Sequence, residues 1–221
     1  MNKIVIFLSV IVLTSFSFQQ QKKKVIFFGD SITQAGVGPE GYITVLGDLL
    51  KQRGQEANFE LIGAGVSGNK VYDLYLRMED DVLKKNPDIV IIWIGVNDVW
   101  HKASSGTGTD ANKFQQFYKA IINKLKAQGA QVILCTPSTI GEKTDFTNQQ
   151  DGDLNGYSVI IRELAAENGC KLVDLRTLFR EYNLKHNTEN KRAGVLTSDG
   201  VHLNATGNKF VAEQFMKALL P

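Results

Sequence analysis

Four short segments of this chain carry side chains that can do chemistry. Gly29-Asp30-Ser31-Ile32-Thr33 offers a hydroxyl, and Gly63-Ala64-Gly65-Val66-Ser67-Gly68-Asn69 has three glycines at G-x-G-x-x-G spacing. Gly95-Val96-Asn97-Asp98 offers a carboxamide, and Ser198-Asp199-Gly200-Val201-His202-Leu203 sets an acid three positions before an imidazole. A serine hydroxyl is a weak nucleophile until a base takes its proton, and neutral histidine suits that task near pH 7. Three residues of separation let a turn place the Asp199 carboxylate on the second ring nitrogen of His202. Backbone N–H groups and a carboxamide are donors that can receive a developing negative charge.

These groups meet only if the fold carries them to one place. Strand-like runs stand at 24–29, 59–64, 88–95, 131–136 and 171–175, each short and nearly continuously apolar. That character marks strands buried on both faces, as in a parallel sheet. Helical patterns lie between them, stopped by Gly54, Pro87, Gly129 and Gly169, with a last helix from Ala205 onward carrying Phe210, Val211, Phe215, Ala218 and Leu219 on one face. The alternation predicts an α/β fold, a three-layer α/β/α sandwich on a five-stranded parallel sheet in flavodoxin-like order 2-1-3-4-5. Polar loops are expected at 101–112, 138–153 and 186–200. Ligands of such sheets bind outside the carboxyl ends of the strands, which is where all four segments fall.

The glycine spacing also spells a dinucleotide loop, a reading that fails on position. That fingerprint follows the first strand and needs an acid near the end of the next one. Here the glycines follow the second strand, and the acid twenty residues beyond Gly68 is Asp88, at the wrong end of the third. Glycines at a strand end can instead aim a backbone N–H inward, and Gly68 is placed to present its amide to a negative charge.

With 221 residues, 43% apolar and 22% charged, the chain is one ordinary globular domain. The formal charge of +2 is scattered, so nucleic acid is not an expected partner. Residues 1–17 read as a signal peptide, with one lysine, then a short apolar core, and Ser15 and Ser17 before Phe18 as the cleavage site. The domain is then 18–221, secreted or periplasmic, with no stable membrane insertion once the leader is cut; an uncleaved membrane anchor and a buried N-terminal strand are the alternatives. Cys135 and Cys170 fall at opposite ends of neighbouring strands, too far apart to bridge, and both read as small buried apolar residues. Two distant cysteines and three scattered histidines make no metal site.

The blocks GDSIT (29–33), GVSGN (65–69), GVND (95–98) and DGVHLN (199–204) resemble, in order and spacing, those of the SGNH hydrolases, also called GDSL esterases. The resemblance covers 24 to about 220. It departs at Ile32, where many members have Leu, and at Gly63, where many have Asn. It implies Ser31 as nucleophile, His202 as general base and Asp199 as its orienting acid. The implied oxyanion hole combines the Ser31 N–H, the Gly68 N–H and the Asn97 amide. The implied activity is hydrolysis of carboxylic esters through an acyl-enzyme, with no cofactor and no metal. No apolar insertion suggests a lid, which favours short acyl groups, acetyl esters on a small molecule or carbohydrate. Similar proteins act as lysophospholipases or thioesterases, and a sugar- or acyl-binding domain without turnover is the rival of another class. A phosphate-ester hydrolase would want a metal cluster. The signature G-x-S-x-G of the α/β-hydrolases is absent.

Each residue has a plainer reading. Ser31 could be only a helix N-cap, Asn97-Asp98 a turn, and Asp30 a bond to nearby backbone. Asp174, ending the fifth strand, is the second candidate for the triad acid. Trp100 and His101 are candidates for contact with substrate, against plain solvent exposure for His101. His186 is expected to be exposed.

Overall fold

The structure, a computed structural model, describes residues 21–220; the leader expected at 1–17 lies outside the described residues. Five strands form one parallel sheet: β1 (Lys23–Gly29), β2 (Phe59–Gly65), β3 (Ile89–Trp93), β4 (Gln131–Cys135) and β5 (Lys171–Val173). Their order is β2-β1-β3-β4-β5, the flavodoxin-like order expected from the sequence. The central strands are apolar throughout because helices cover both faces; Val25 to Phe28 and all of Ile89–Trp93 are buried. Burying each such side chain contributes on the order of 1.5–3 kcal/mol. The edge strands are shorter or partly polar, with Glu60 and Lys171 exposed, which discourages pairing with another chain.

Among the described residues eight α-helices surround the sheet: α1 (Ser31–Ala35), α2 (Tyr42–Gln52), α3 (Val71–Asp81), α4 (Val96–Ser105), α5 (Ala111–Ala127), α6 (Asp151–Glu167), α7 (Leu175–His186) and α8 (Ala205–Leu219). Helices α2 and α8 pack together on one face, where Phe215 meets Tyr42, Phe27 and Trp93 with ring centroids 5.3–6.2 Å apart. Helices α3, α5 and α6 pack side by side on the other.

Several element boundaries depart from the sequence expectations. Residues 101–105 were expected in a polar loop, yet they complete α4, whose inward stripe of Val96, Val99 and Trp100 lies just before the polar run. Helix α7 occupies a stretch with no expected helix. Strand β5 stops at Val173, two residues early, because the Asp174 side chain accepts from Thr177 N–H and starts that helix. The helix expected up to Pro87 breaks at Val82, and a single 3₁₀ turn follows at Leu83–Lys85. Cys135 is buried and Cys170 only half-buried; both are free thiols at opposite ends of paired strands.

The register decides where the site sits. Gly29 pairs with both Gly65 and Trp93, so β1, β2 and β3 end level with one another. Ser31, Gly68 and Asn97 each follow within four residues of that line.

Candidate active site

Ser31 is the first residue of α1, and the N-cap is Asp30, whose carboxylate accepts from Ile32 N–H at 3.0 Å. The N-cap reading of Ser31 therefore falls: the acid caps, and the hydroxyl is free to point elsewhere. It points to His202, with Oγ 3.0 Å from Nε2. On the far side of the ring, His202 Nδ1 lies 2.7 Å from Asp199 Oδ2. The other carboxylate oxygen of Asp199 accepts from Val201 N–H at 2.9 Å and His202 N–H at 2.8 Å, so one acid shapes the turn and orients the ring. Burial pushes the Asp199 carboxyl upward, but the His202 ring and these two N–H groups outweigh it and hold it below the usual carboxylate range.

Asp174 has no part in this arrangement. Arg162 grips it at 2.9 Å through both Nε and Nη2, and Thr136 and Thr177 donate to it as well. His186 ends α7, exposed, its ring 4.2 Å from that of Tyr182.

The glycine spacing resolves into two needs. Gly63 and Gly65 are strand residues, not loop residues. At Gly65 a Cβ would stand 2.1 Å from Gln34 N and 2.7 Å from Asp30 O, so only glycine lets β2 pass under α1. Gly68 has φ +76°, the left-handed region, in the loop leading to α3. The loop is held by Gln34 Oε1, which accepts from Ser67 N–H at 2.6 Å, and by Lys70 Nζ, which donates to Gly68 O at 3.2 Å.

Asn97 lies in the first turn of α4, 2% exposed, and its amide donates to Asn69 O at 3.1 Å. That bond ties the carboxamide to the loop of Gly68. Asp98 does more than turn chemistry: fully buried, it accepts from Val71 N–H at 3.2 Å and pins α3 to α4. Burial raises its carboxyl to about 6 and that of Asp30 to about 7. Both Trp100 and His101 are half-buried, and the Trp100 ring stands edge-on to His202, centroids 6.5 Å apart. His101 Cε1 is the nearest atom to the face of Gly68, 3.9 Å from where a Cβ would stand. Burial, and then the Lys70 ammonium, lower the His101 ring below its ordinary value.

Two supporting residues escaped the sequence reading. Arg77 donates to Gly29 O at 2.7 Å, Ala64 O at 3.0 Å and Asn69 Oδ1 at 2.6 Å, with its guanidinium over the Phe28 ring. It thus joins the ends of β1 and β2 to the loop of Gly68. The signal was an arginine on the inward face of α3, between Leu74 and Met78. Glu142 is 1% exposed, and its carboxylate accepts from the N–H groups of Val195, Leu196 and Thr197 at 2.6–2.8 Å. It braces the segment that carries Asp199 and His202, and nothing in its sequence neighbourhood marks it.

An alcohol on an imidazole and the imidazole on a carboxylate form a set that can activate the hydroxyl by taking its proton. Among the described residues no group of three or more His, Cys, Asp or Glu is placed to hold a metal ion, and no helix is long and apolar enough to cross a membrane.

Residues 27–210 match the model of the GDSL-like lipase/acylhydrolase family. The chain is 63% identical to the crystal structure of an acetyl xylan esterase, AlAXEase, with a TM-score of 0.88 over 89% of this chain and 100% of that one. It is 29% identical to an acetylxylan esterase of Geobacillus stearothermophilus, over 89% of this chain and 94% of that one. A GDSL esterase/lipase of Arabidopsis thaliana, At5g45920, is 25% identical over 90% of this chain and 86% of its own length.

Proposed function

The chain belongs to the GDSL-like lipase/acylhydrolase family, and on that premise we propose that it is a serine esterase that removes short acyl groups, acetyl above all, from carbohydrate. The similarity to acetyl xylan esterases supports the substrate. The observation that carries the chemistry is the line from Ser31 through His202 to Asp199, with contacts of 3.0 and 2.7 Å.

In this reading Ser31 Oγ attacks the ester carbonyl carbon while its proton passes to His202 Nε2. The carbonyl oxygen becomes an oxyanion and accepts from the N–H groups of Ser31 and Gly68 and from the Asn97 amide. Asp199 holds the imidazole in the tautomer that accepts at Nε2 and steadies the imidazolium. Collapse of the intermediate breaks the bond to the sugar oxygen, which leaves with the proton from His202. Water then attacks the acyl-enzyme carbonyl and gives a proton to the same nitrogen; collapse breaks the bond to Ser31 Oγ, which takes that proton back from His202 as acetic acid leaves and ionises. Trp100, half-buried with its ring 6.5 Å from that of His202, is assigned in this reading to the wall beside the acyl group, where it would favour acetyl over long acyl chains.

Export to the periplasm or medium is part of the proposal and rests on the leader at 1–17, where mass spectrometry of the mature N-terminus tests it. The activity is tested with an activated acetyl ester, longer acyl homologues and acetylated xylo-oligosaccharides. Wild type should cleave the acetyl substrates and Ser31→Ala should not. Equal turnover by the two proteins, or a preference for long chains, would refute the reading.

A further inference from the structure

The chain leaving β4 reaches the same rim as Ser31 and walls a polar cleft of about 250 Å³. Lys143, Thr147, Gln149, Gln150 and Arg192 line it with N–H and O–H donors, and no carboxylate is among its lining residues. Its walls are fixed to the proposed catalytic turn. Gly141 N–H donates to Gly200 O at 2.7 Å, and Arg192 Nη1 donates to Asp199 O at 3.1 Å. A group seated in the cleft thus lies next to the segment that carries His202.

The same loop presents Phe146 to water. Its ring is 75% exposed, and its φ of +68° is a conformation bulky residues avoid. Side chains hold it there: Asp145 Oδ1 accepts from Thr147 N–H at 3.1 Å, and Asp145 Oδ2 accepts from Asn190 Nδ2 at 2.7 Å. Asn190 Oδ1 in turn accepts from Thr144 N–H at 2.8 Å. The Arg180 guanidinium stands 4.7 Å from the ring centroid. A strained backbone that exposes an apolar ring one residue before Thr147, part of the donor-rich wall, calls for a ligand with both characters. A pyranose has them, with C–H bonds for the electron-rich ring face and hydroxyls for the amides and cations.

We propose that Phe146 and this cleft form a subsite for the sugar chain that carries the ester. The inference rests on the carbohydrate reading above, and its test separates the two. Unacetylated xylo-oligosaccharide is titrated into Ser31→Ala and into Ser31→Ala with Phe146→Ala, which measures binding without turnover. Affinity should fall about tenfold on loss of the ring. In proteins that keep Ser31, Phe146→Ala and the pair Gln149→Ala with Gln150→Ala should lower, by a similar factor, the ratio of kcat/KM for acetylated xylo-oligosaccharide to that for 4-nitrophenyl acetate. Unchanged affinity and an unchanged ratio would overturn the subsite. Phe146-dependent binding in a protein that cleaves the small ester but never the acetylated sugar would leave the subsite standing and remove the proposed substrate.

Discussion

Glu142→Gln tests how the proposed catalytic turn is held without touching a reacting group. The Glu142 carboxylate is buried, has no cation within ion-pair distance among the described residues, and is stabilised by three backbone N–H groups. Glutamine keeps the size and can leave its carbonyl oxygen on Leu196 and Thr197, but its NH₂ then faces the Val195 N–H, donor against donor. One unsatisfied buried donor costs about 1–3 kcal/mol, and weakening two charge-assisted bonds to neutral ones adds about 1 kcal/mol each. The sum is about 3–5 kcal/mol, and at about 2–4 °C per kcal/mol for a chain of this size the unfolding midpoint drops by about 6–20 °C. Asp199 and His202 follow the braced residues directly, so kcat on an activated acetyl ester at 25 °C should fall at least about tenfold, the effect of roughly 1.4 kcal/mol at the transition state. Thermal unfolding and steady-state kinetics on one preparation read both quantities. A midpoint within a degree or two of wild type would refute the hydrogen-bond argument. A lowered midpoint with full kcat would show that the turn keeps its shape without the brace.

Asn97→Ala should cost about 100- to 1000-fold in kcat with circular dichroism unchanged, the effect of losing one oxyanion donor; near-normal turnover would take Asn97 out of the site. Gly65→Ala forces α1 away from β2, since the new Cβ meets backbone at 2.1 Å, so both stability and turnover should drop, and a variant equal to wild type in both would show that α1 yields freely. Asp30→Asn keeps an N-cap acceptor for Ile32 while removing a titration. Burial raises the folded carboxyl to about 7 from an unfolded value near ~3.9, so its favourable contribution is full below about pH 4 and is lost as pH rises through about 7. The midpoint of wild type relative to Asp30→Asn should therefore decline between about pH 4 and 7 and level off above; a flat difference across that window would count against a buried, proton-holding Asp30.

The sheet was legible because its strands are buried on both faces, and Val25 to Phe28 and Ile89 to Trp93 leave no polar position to confuse the reading. The proximity of Ser31, Gly68 and Asn97 followed from strand order alone, since parallel strands of level register deliver their exits to one edge. Helix α7 was missed because Leu175, Leu178, Phe179 and Tyr182 supply the right period but are interrupted by charged residues, and KLVDL absorbed its first turn. Helix α4 was missed because Asn97-Asp98 read as a turn and the polar end that follows packs on nothing that the pattern announces. Glu142 was invisible for another reason: its carboxylate binds backbone N–H groups, which leave no trace in a sequence, and the one trace of Arg77 was its place on the inward face of α3.

The contact between residues 31 and 202 spans 171 positions. During synthesis the growing polypeptide therefore carries the hydroxyl long before the imidazole emerges from the ribosome, and it stays inert until residue 202 has been translated. Such distant closures come late in folding. The return of hydrolysis after dilution from denaturant should accordingly lag the return of helical signal, serving as a clock for the arrival of the C-terminal helix.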